Sequence, residues 1–142
     1  MATANKQARG LYTLVVKKSI LGAKVVNAEG EDLGTIEDLV VDTRDNRLAY
    51  AILSFGGFLG MGDRHFAIPW EALAFDISQK TAVLDIDKDR LKNAPGFDSG
   101  NWPDMADAAW GTQVHRHYGV EPYWNDRGSA TEQPPADPDR RP

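Results

Sequence analysis

The central part of this 142-residue chain contains no segment that could form a long amphipathic helix, and this limits its fold most strongly. Between Ser19 and Ile86, short runs of apolar and β-branched residues alternate with polar or glycine-rich turns. Parallel α/β folds need a helix of about ten or more residues between successive strands. We therefore predict a small barrel or sandwich. Its six predicted strands are 24–27, 35–42, 48–55, 65–68, 75–78 and 81–86.

Two of these segments carry clear strand signals. Segment 48–55 (LAYAILSF) is almost wholly apolar, which predicts a strand buried on both faces or at the centre of a barrel. In segment 81–86, apolar residues occupy every second position from Ala82 to Ile86, the period of a strand with one buried face. The residues that we expect to be largely buried are Ile52, Leu53, Phe55, Phe66, Ile68, Val83, Leu84 and Ile86.

Beyond Ile86 the chain carries helix signals instead. Asp87 is a suitable N-cap for one or two helical turns, and Asp104 is a suitable N-cap for a second helix that ends at Gly119. From Asn125 onward the chain is polar and proline-rich, a composition typical of disorder in isolation. The predicted organisation is a lead-in (1–18), a β domain (19–91), an aromatic helical extension (92–124) and a disordered tail (125–142).

Composition excludes several function classes. The chain has no cysteine, so it has no disulfide, thiolate nucleophile or thiolate metal site. Its net charge of −5 argues against sequence-independent nucleic-acid binding, which depends on excess positive charge. The apolar run 11–16 is much shorter than the roughly 20 residues that span a bilayer. We expect a soluble, cytoplasmic protein without a nucleic-acid partner or an inserted segment, and peripheral membrane association stays open.

The motifs that could carry chemistry lack the necessary spacing. The glycine-rich segment 56–62 has no Walker pattern and leads into a strand, so we interpret it as a loop between strands. The aspartates of 85–89 resemble the start of an EF-hand, but the loop's glycine and glutamate positions hold Arg90 and Gly96.

The histidines are equally uninformative. His115 and His117 would point to different sides of a helix and could not share a metal ion. His65 lies in an apolar strand. We therefore predict no catalytic residues, no cofactor and no metal site, and we do not expect an enzyme.

The aromatic residues of the C-terminal third are the more informative feature. Six of them fall within 28 positions, from Phe97 to Trp124. They could dock the extension on the barrel wall, or form a surface for a partner or a second copy. Because a barrel of about 70 residues cannot enclose them all, we expect a homodimer or larger homo-oligomer. The candidate protein-binding residues are Phe58, Leu59, Met61, Trp102, Trp110, Tyr118, Tyr123 and Trp124.

Three separated motifs resemble the PRC-barrel domain family. They are 32–42 (DLGTIEDLVVD), 48–63 (LAYAILSFGGFLGMGD) and 66–70 (FAIPW). The resemblance covers about 19–91, and segment 87–124 is similar to the tail of stand-alone bacterial members. It implies a mainly β fold, a small six-stranded barrel with a C-terminal helical extension. It also implies a protein-binding role, without catalytic residues that could be carried over.

The expected function is therefore a non-enzymatic protein-interaction module that self-associates and has a further, unknown protein partner. The resemblance implies two alternatives. One is a peripheral accessory protein of a photosynthetic reaction-centre or electron-transfer membrane complex, because the family includes the cytoplasmic part of the reaction-centre H subunit. The other is an RNA- or ribosome-linked factor, because the family includes a domain of a ribosome-maturation protein. The net acidity weakens the second alternative.

Overall fold

The computed structural model of the chain describes residues 13–56, 64–98 and 100–125. Its short strands form one seven-stranded sheet in the order β5-β6-β1-β2-β3-β4-β7. The strands are β1 (Lys24–Val26), β2 (Asp32–Asp42), β3 (Arg47–Phe55), β4 (Arg64–Pro69), β5 (Leu73–Asp76), β6 (Thr81–Leu84) and β7 (Gly96–Phe97). The helices are α1 (Val16–Ser19), α2 (Lys88–Lys92) and α3 (Ala108–His117). Within the described residues, no helix is long and apolar enough to cross a membrane.

The mainly β fold with small C-terminal helices is confirmed, whereas a closed six-stranded barrel is not. Strands β1 to β6 lie at the six predicted segments, with ends that differ by a few residues. The seventh strand, β7, pairs with β4 through His65 and Phe97. Among the described residues, no strand pairing joins the two outer strands, β5 and β7. The sheet is antiparallel except for β1 and β6, which run parallel.

Local chemistry explains the long β2–β3 hairpin. The Asp42 carboxylate accepts the backbone N–H of Arg44 at 2.9 Å, and Asn46 takes a positive φ of 56°. Both features are typical of tight turns, because aspartate and asparagine tolerate such backbone geometry. Near the other end of the hairpin, Gly34 has φ +125°, and a Cβ there would stand 2.2 Å from the Ser54 carbonyl oxygen. Only glycine permits this approach of β2 to β3.

The buried apolar residues form two clusters that share β3. The first core includes Ala51 and Leu53 of β3, together with residues of β1, β2, β4, β6 and α2. The second core includes Tyr50 and Ile52 of β3, together with residues of β4, β7 and the C-terminal extension. Residues 49–54 are all buried, so the prediction of a strand covered on both faces is confirmed.

Six of the eight residues expected to be buried are buried, and two are not. Val83 is 38% exposed, because it points away from the first core while its neighbours Ala82 and Leu84 point into it. The prediction that Val83 is buried was therefore wrong, although the alternation of buried and exposed residues along β6 is confirmed. Phe55 is only half-buried, since it ends β3 and packs at the border of the first core.

Of the two predicted helix starts, the first is confirmed and the second is wrong by three residues. Asp87 caps α2, as expected, with its carboxylate accepting the N–H of Arg90 at 2.8 Å. The longer helix α3 begins three residues after the predicted position, because Asp107 is its N-cap and accepts the N–H of Ala109 at 2.9 Å. Asp104 accepts the N–H of Ala106 in a preceding turn instead. Gly119 follows the helix with φ +73°.

Candidate functional site

Helix α3 and the residues after it pack on the face of β3 and β4 that lies opposite the first core. Val114 of α3 is buried in the second core with Tyr50 and Ala67. The Trp110 ring meets the Tyr50 ring edge to face, with their centroids 5.4 Å apart. Such aromatic pairs are stabilised beyond their buried area alone. The extension is therefore held by ring contacts within the chain.

Gly111 allows α3 to approach the sheet. A Cβ at this position would lie 2.6 Å from the Trp124 ring and 2.9 Å from the Tyr50 hydroxyl oxygen. Both distances are shorter than a carbon atom tolerates, so a side chain here would push α3 and the aromatic rings apart. The sequence shows only an unremarkable glycine in a helical segment, and its role depends on this contact.

The end of the extension is tied to the β2–β3 hairpin by a hydrogen bond. Tyr123 is buried as a residue, and its hydroxyl donates to Oδ2 of Asp42 at 2.5 Å. The Arg47 guanidinium lies over the Tyr123 ring, 4.7 Å from its centroid. Burial first, and then the bond to Asp42, raise the pKa of the Tyr123 hydroxyl. Burial raises the pKa of Tyr50 to about 12, and the Asp42 carboxylate adds to this effect. Both tyrosines therefore stay neutral at ordinary pH.

His115 is buried inside the extension and forms a hydrogen bond within its own helix. Its Nδ1 lies 2.7 Å from the Gly111 carbonyl oxygen. Because a carbonyl oxygen only accepts, Nδ1 carries the proton. Burial lowers the pKa of His115, although the bond to Gly111 acts in the opposite direction. The described residues contain no group of three side chains placed to hold a metal ion.

The other two histidines also make local contacts. His117 Nε2 donates to the Arg90 carbonyl at 2.8 Å, and Arg90 donates back to the His117 carbonyl at 2.9 Å, so α2 and α3 are joined. His65 Nε2 lies 3.0 Å from Oε1 of Glu37 on β2, and its ring stacks on Phe97. Glu37 is 28 positions away in sequence, so only the fold brings this acidic neighbour to His65.

Four of the predicted protein-binding residues are brought together, and one stands apart. Trp110, Tyr118, Tyr123 and Trp124 all pack in or against the second core. Trp102 is 45% exposed, and its ring lies beside the Phe97 ring at a centroid distance of 5.1 Å. The remaining predicted residues, Phe58, Leu59 and Met61, lie outside the described residues.

A cleft of about 480 Å³ lies between the β2–β3 turn and the extension. Its apolar walls come from Val40 and Val41 on one side, and from Met105, Tyr123 and Trp124 on the other. Val41 is 53% exposed at its edge. The charged residues that line it are Asp42, Arg44 and Asp107. The sequence carries no signal for this cleft, because its two walls are more than 50 positions apart in the chain.

Comparisons with known proteins show which family the β domain resembles. No curated protein is significantly similar in sequence. Among solved structures, the chain is similar to one described as a 16S ribosomal RNA processing protein, RimM, from Pseudomonas aeruginosa, with 20% identity and a TM-score of 0.39. That match covers 57% of this chain and 48% of the other, so the chain corresponds to about half the length of that protein. The family description that matches residues 17–91, just over half of the chain, is the PRC-barrel domain, and the chain belongs to this family.

Proposed function

We propose that this chain is a non-enzymatic protein-interaction module that self-associates through the sheet edge that carries Trp102. The observation behind this proposal is the unequal burial of the tryptophans. Trp70, Trp110 and Trp124 are half-buried, whereas Trp102 is exposed. Large exposed aromatic side chains are common at the centres of protein contacts, because they contribute a large contact area at low entropic cost.

The surroundings of Trp102 support a contact at this edge. Trp102 packs on Phe97 of β7, which is an outer strand of the sheet. β7 pairs with β4 at His65, next to the Phe55–Arg64 pair where β3 and β4 end. The connection between these strands contains Phe58, Leu59 and Met61, whose contribution to the contact remains a prediction. A two-fold dimer would place this edge against its own copy.

The packing of the extension reduces the expected size of the interface between two copies of the chain. Because Trp110, Tyr118, Tyr123 and Trp124 are largely covered within the chain, they support docking and leave less apolar surface for association. We therefore expect a weak dimer that dissociates on dilution, rather than an obligate one. Small interfaces commonly belong to such transient complexes.

Light scattering over a dilution series tests the proposal on the full chain. We expect a mass that rises with concentration from 15.6 kDa toward twice that value. Trp102→Ser and Met61→Asp should each shift the mass toward the monomer. Trp102→Ser should lower the free energy of unfolding only by the loss of its ring contact with Phe97, about 0.5–1.5 kcal/mol. Trp110→Ala is the matched control, and it should lower stability while leaving the mass curve of the folded protein unchanged. A constant mass of 15.6 kDa at every concentration would contradict self-association.

The narrower roles in a photosynthetic membrane complex or at the ribosome remain predictions from family membership. Neither has a contact surface identified among the described residues. Co-sedimentation with ribosomal subunits is the direct test of the second role. Salt-sensitive co-sedimentation of the wild-type chain would favour a ribosomal partner, and its absence would count against one.

A further inference from the structure

The cleft between the β2–β3 turn and the extension is a second surface, separate from the Trp102 edge. Its volume of about 480 Å³ is in the range of pockets that take small ligands or short peptide segments, about 300–1,000 Å³. Exposed Val41 and half-buried Met105 and Trp124 give it an apolar lining. We propose that this cleft binds the proline-containing C-terminal tail of the same chain, residues 126–142.

The position of the tail makes it a suitable occupant. The described part of the chain ends at Asn125, the residue directly after Trp124, which lines the cleft. Pro134 lies nine positions after Asn125, and nine extended residue steps span about 30 Å at most. Gly128 and Ser129 lie within this stretch and favour a reversal of the chain. The proline-containing segment can therefore reach the cleft without any rearrangement of the second core.

The chemistry of the two partners also matches. Pro134, Pro135 and Pro138 favour the polyproline II conformation, which loses little entropy on binding. Grooves lined by aromatic side chains are a recurrent binding surface for such segments. Here Tyr123 and Trp124 supply the aromatic side chains, and Val41 and Met105 supply the aliphatic ones.

The cleft and the tail each carry charges of both signs. The cleft carries two carboxylates, Asp42 and Asp107, and one guanidinium, Arg44. The tail segment 137–141 carries two aspartates and two arginines. Exposed ion pairs add little affinity, so these charges orient the segment while the prolines provide the contact. Attachment to the same chain raises the effective concentration of the segment to about the millimolar range, enough to populate a weak contact.

The experiment uses a nitroxide label on the full chain. Because the chain has no cysteine, Ala136→Cys provides a single labelling site. In an isotope-labelled sample, we expect paramagnetic broadening of the backbone amides of Val41, Ala106 and Ala108. A label at Ala28→Cys in the exposed β1–β2 turn is the control and should leave these amides sharp.

Two substitutions test whether the broadening comes from the proposed contact. Val41→Asp changes an exposed wall residue, so the fold should be kept. Replacement of both Pro134 and Pro135 by serine changes only the tail. If either change weakens the contact about tenfold, a half-populated contact falls to about a tenth, a fivefold loss of broadening.

The outcomes separate this inference from its competitors. Unbroadened cleft amides in the Ala136→Cys sample, or broadening that survives both substitutions, would overturn it. A mixture of isotope-labelled and nitroxide-labelled chains should show no broadening at the cleft. Equal broadening in the mixture would assign the segment to a second copy and overturn the same-chain contact. Since Trp102→Ser leaves the cleft intact, the broadening should persist in that variant even if self-association is lost.

Discussion

Tyr123 and Tyr118 differ in what their hydroxyl groups contact, although both pack within the extension. The Tyr123 hydroxyl donates to the Asp42 carboxylate. The Tyr118 hydroxyl is buried and has no hydrogen-bond partner among the described residues. A hydrogen bond to a charged group stabilises a fold more than a neutral one, whereas a buried hydroxyl without a partner costs desolvation energy. Removing each hydroxyl in turn therefore measures how much the hydrogen bond to Asp42 contributes to the stability of the extension.

Tyr123→Phe should lower the free energy of unfolding by about 1.5–3 kcal/mol, because it removes the donor to Asp42 and keeps the ring. Tyr118→Phe should leave this free energy unchanged or raise it slightly, since its hydroxyl contributes no bond within the described structure. Urea denaturation of the two variants and the wild type provides the measurement. Equal losses in the two variants would show that the Asp42 bond does not stabilise the extension.

At the level of elements, α3 is positioned by a residue that weakens an isolated helix. Glycine in a helix interior costs about 0.5–1 kcal/mol relative to alanine. Gly111 nevertheless lies where a Cβ would come within 2.6 Å of the Trp124 ring and 2.9 Å of the Tyr50 hydroxyl oxygen. The close contact of α3 with these two aromatic side chains therefore explains why position 111 holds glycine, although alanine is the better helix former.

Gly111→Ala should destabilise the protein by about 1–3 kcal/mol, the usual effect of overpacking, despite the gain in helix propensity. Gln113→Ala is the control, because Gln113 is exposed on the same helix and the substitution changes little but propensity. The free energies of unfolding in urea, followed by circular dichroism, compare the two. Stabilisation by Gly111→Ala would mean that α3 can move away from the sheet at no cost.

For the molecule as a whole, β3 and β4 connect the two cores, because each contributes buried residues to both. Ile52 and Leu53 are adjacent in sequence and fully buried, yet they belong to the second and the first core, respectively. A structure with two separable units would place its boundary in an exposed linker that few contacts cross. Here the boundary between the cores runs along β3 and β4, so we expect the β domain and the extension to unfold together.

Ile52→Ala and Leu53→Ala should each lower the stability of one common transition by about 2–5 kcal/mol. Far-ultraviolet circular dichroism follows the strands. In a Trp70→Phe background, which removes the tryptophan packed on the first core, fluorescence follows Trp102, Trp110 and Trp124 in the extension. Coincident curves from both probes are expected for each variant. Separate transitions, with Ile52→Ala affecting only the fluorescence curve, would show that the extension unfolds independently.

The features that could be predicted from sequence are those that depend on residues close together in the chain. The N-cap at Asp87, the alternation along β6 and the burial of β3 on both faces follow from local patterns, and each is confirmed. Asp104 and Asp107 are equally suitable caps by type, so the start of α3 was misplaced by three residues. The choice between them depends on where the helix meets the sheet.

The candidate site could be predicted only in part. The density of aromatic residues was consistent with a docked extension or with an interface, and five of the six pack in or against the second core. The bond between Asp42 and Tyr123 joins residues 81 positions apart, and no periodicity signals such a contact. The cleft depends on the same long-range arrangement, since its walls come from the β2–β3 hairpin and from the chain after residue 104.

The parallel pairing of β1 with β6 has a consequence for the order in which the chain assembles during synthesis. The β2, β3 and β4 strands are neighbours in sequence and can pair as they leave the ribosome, because short loops close readily. β1 can join β2 at that stage, but its other edge has no partner until residues 81–83 emerge. Among the described strands, the one that is made first is thus among the last to acquire both neighbours, and its open edge is exposed to other nascent chains in the interval.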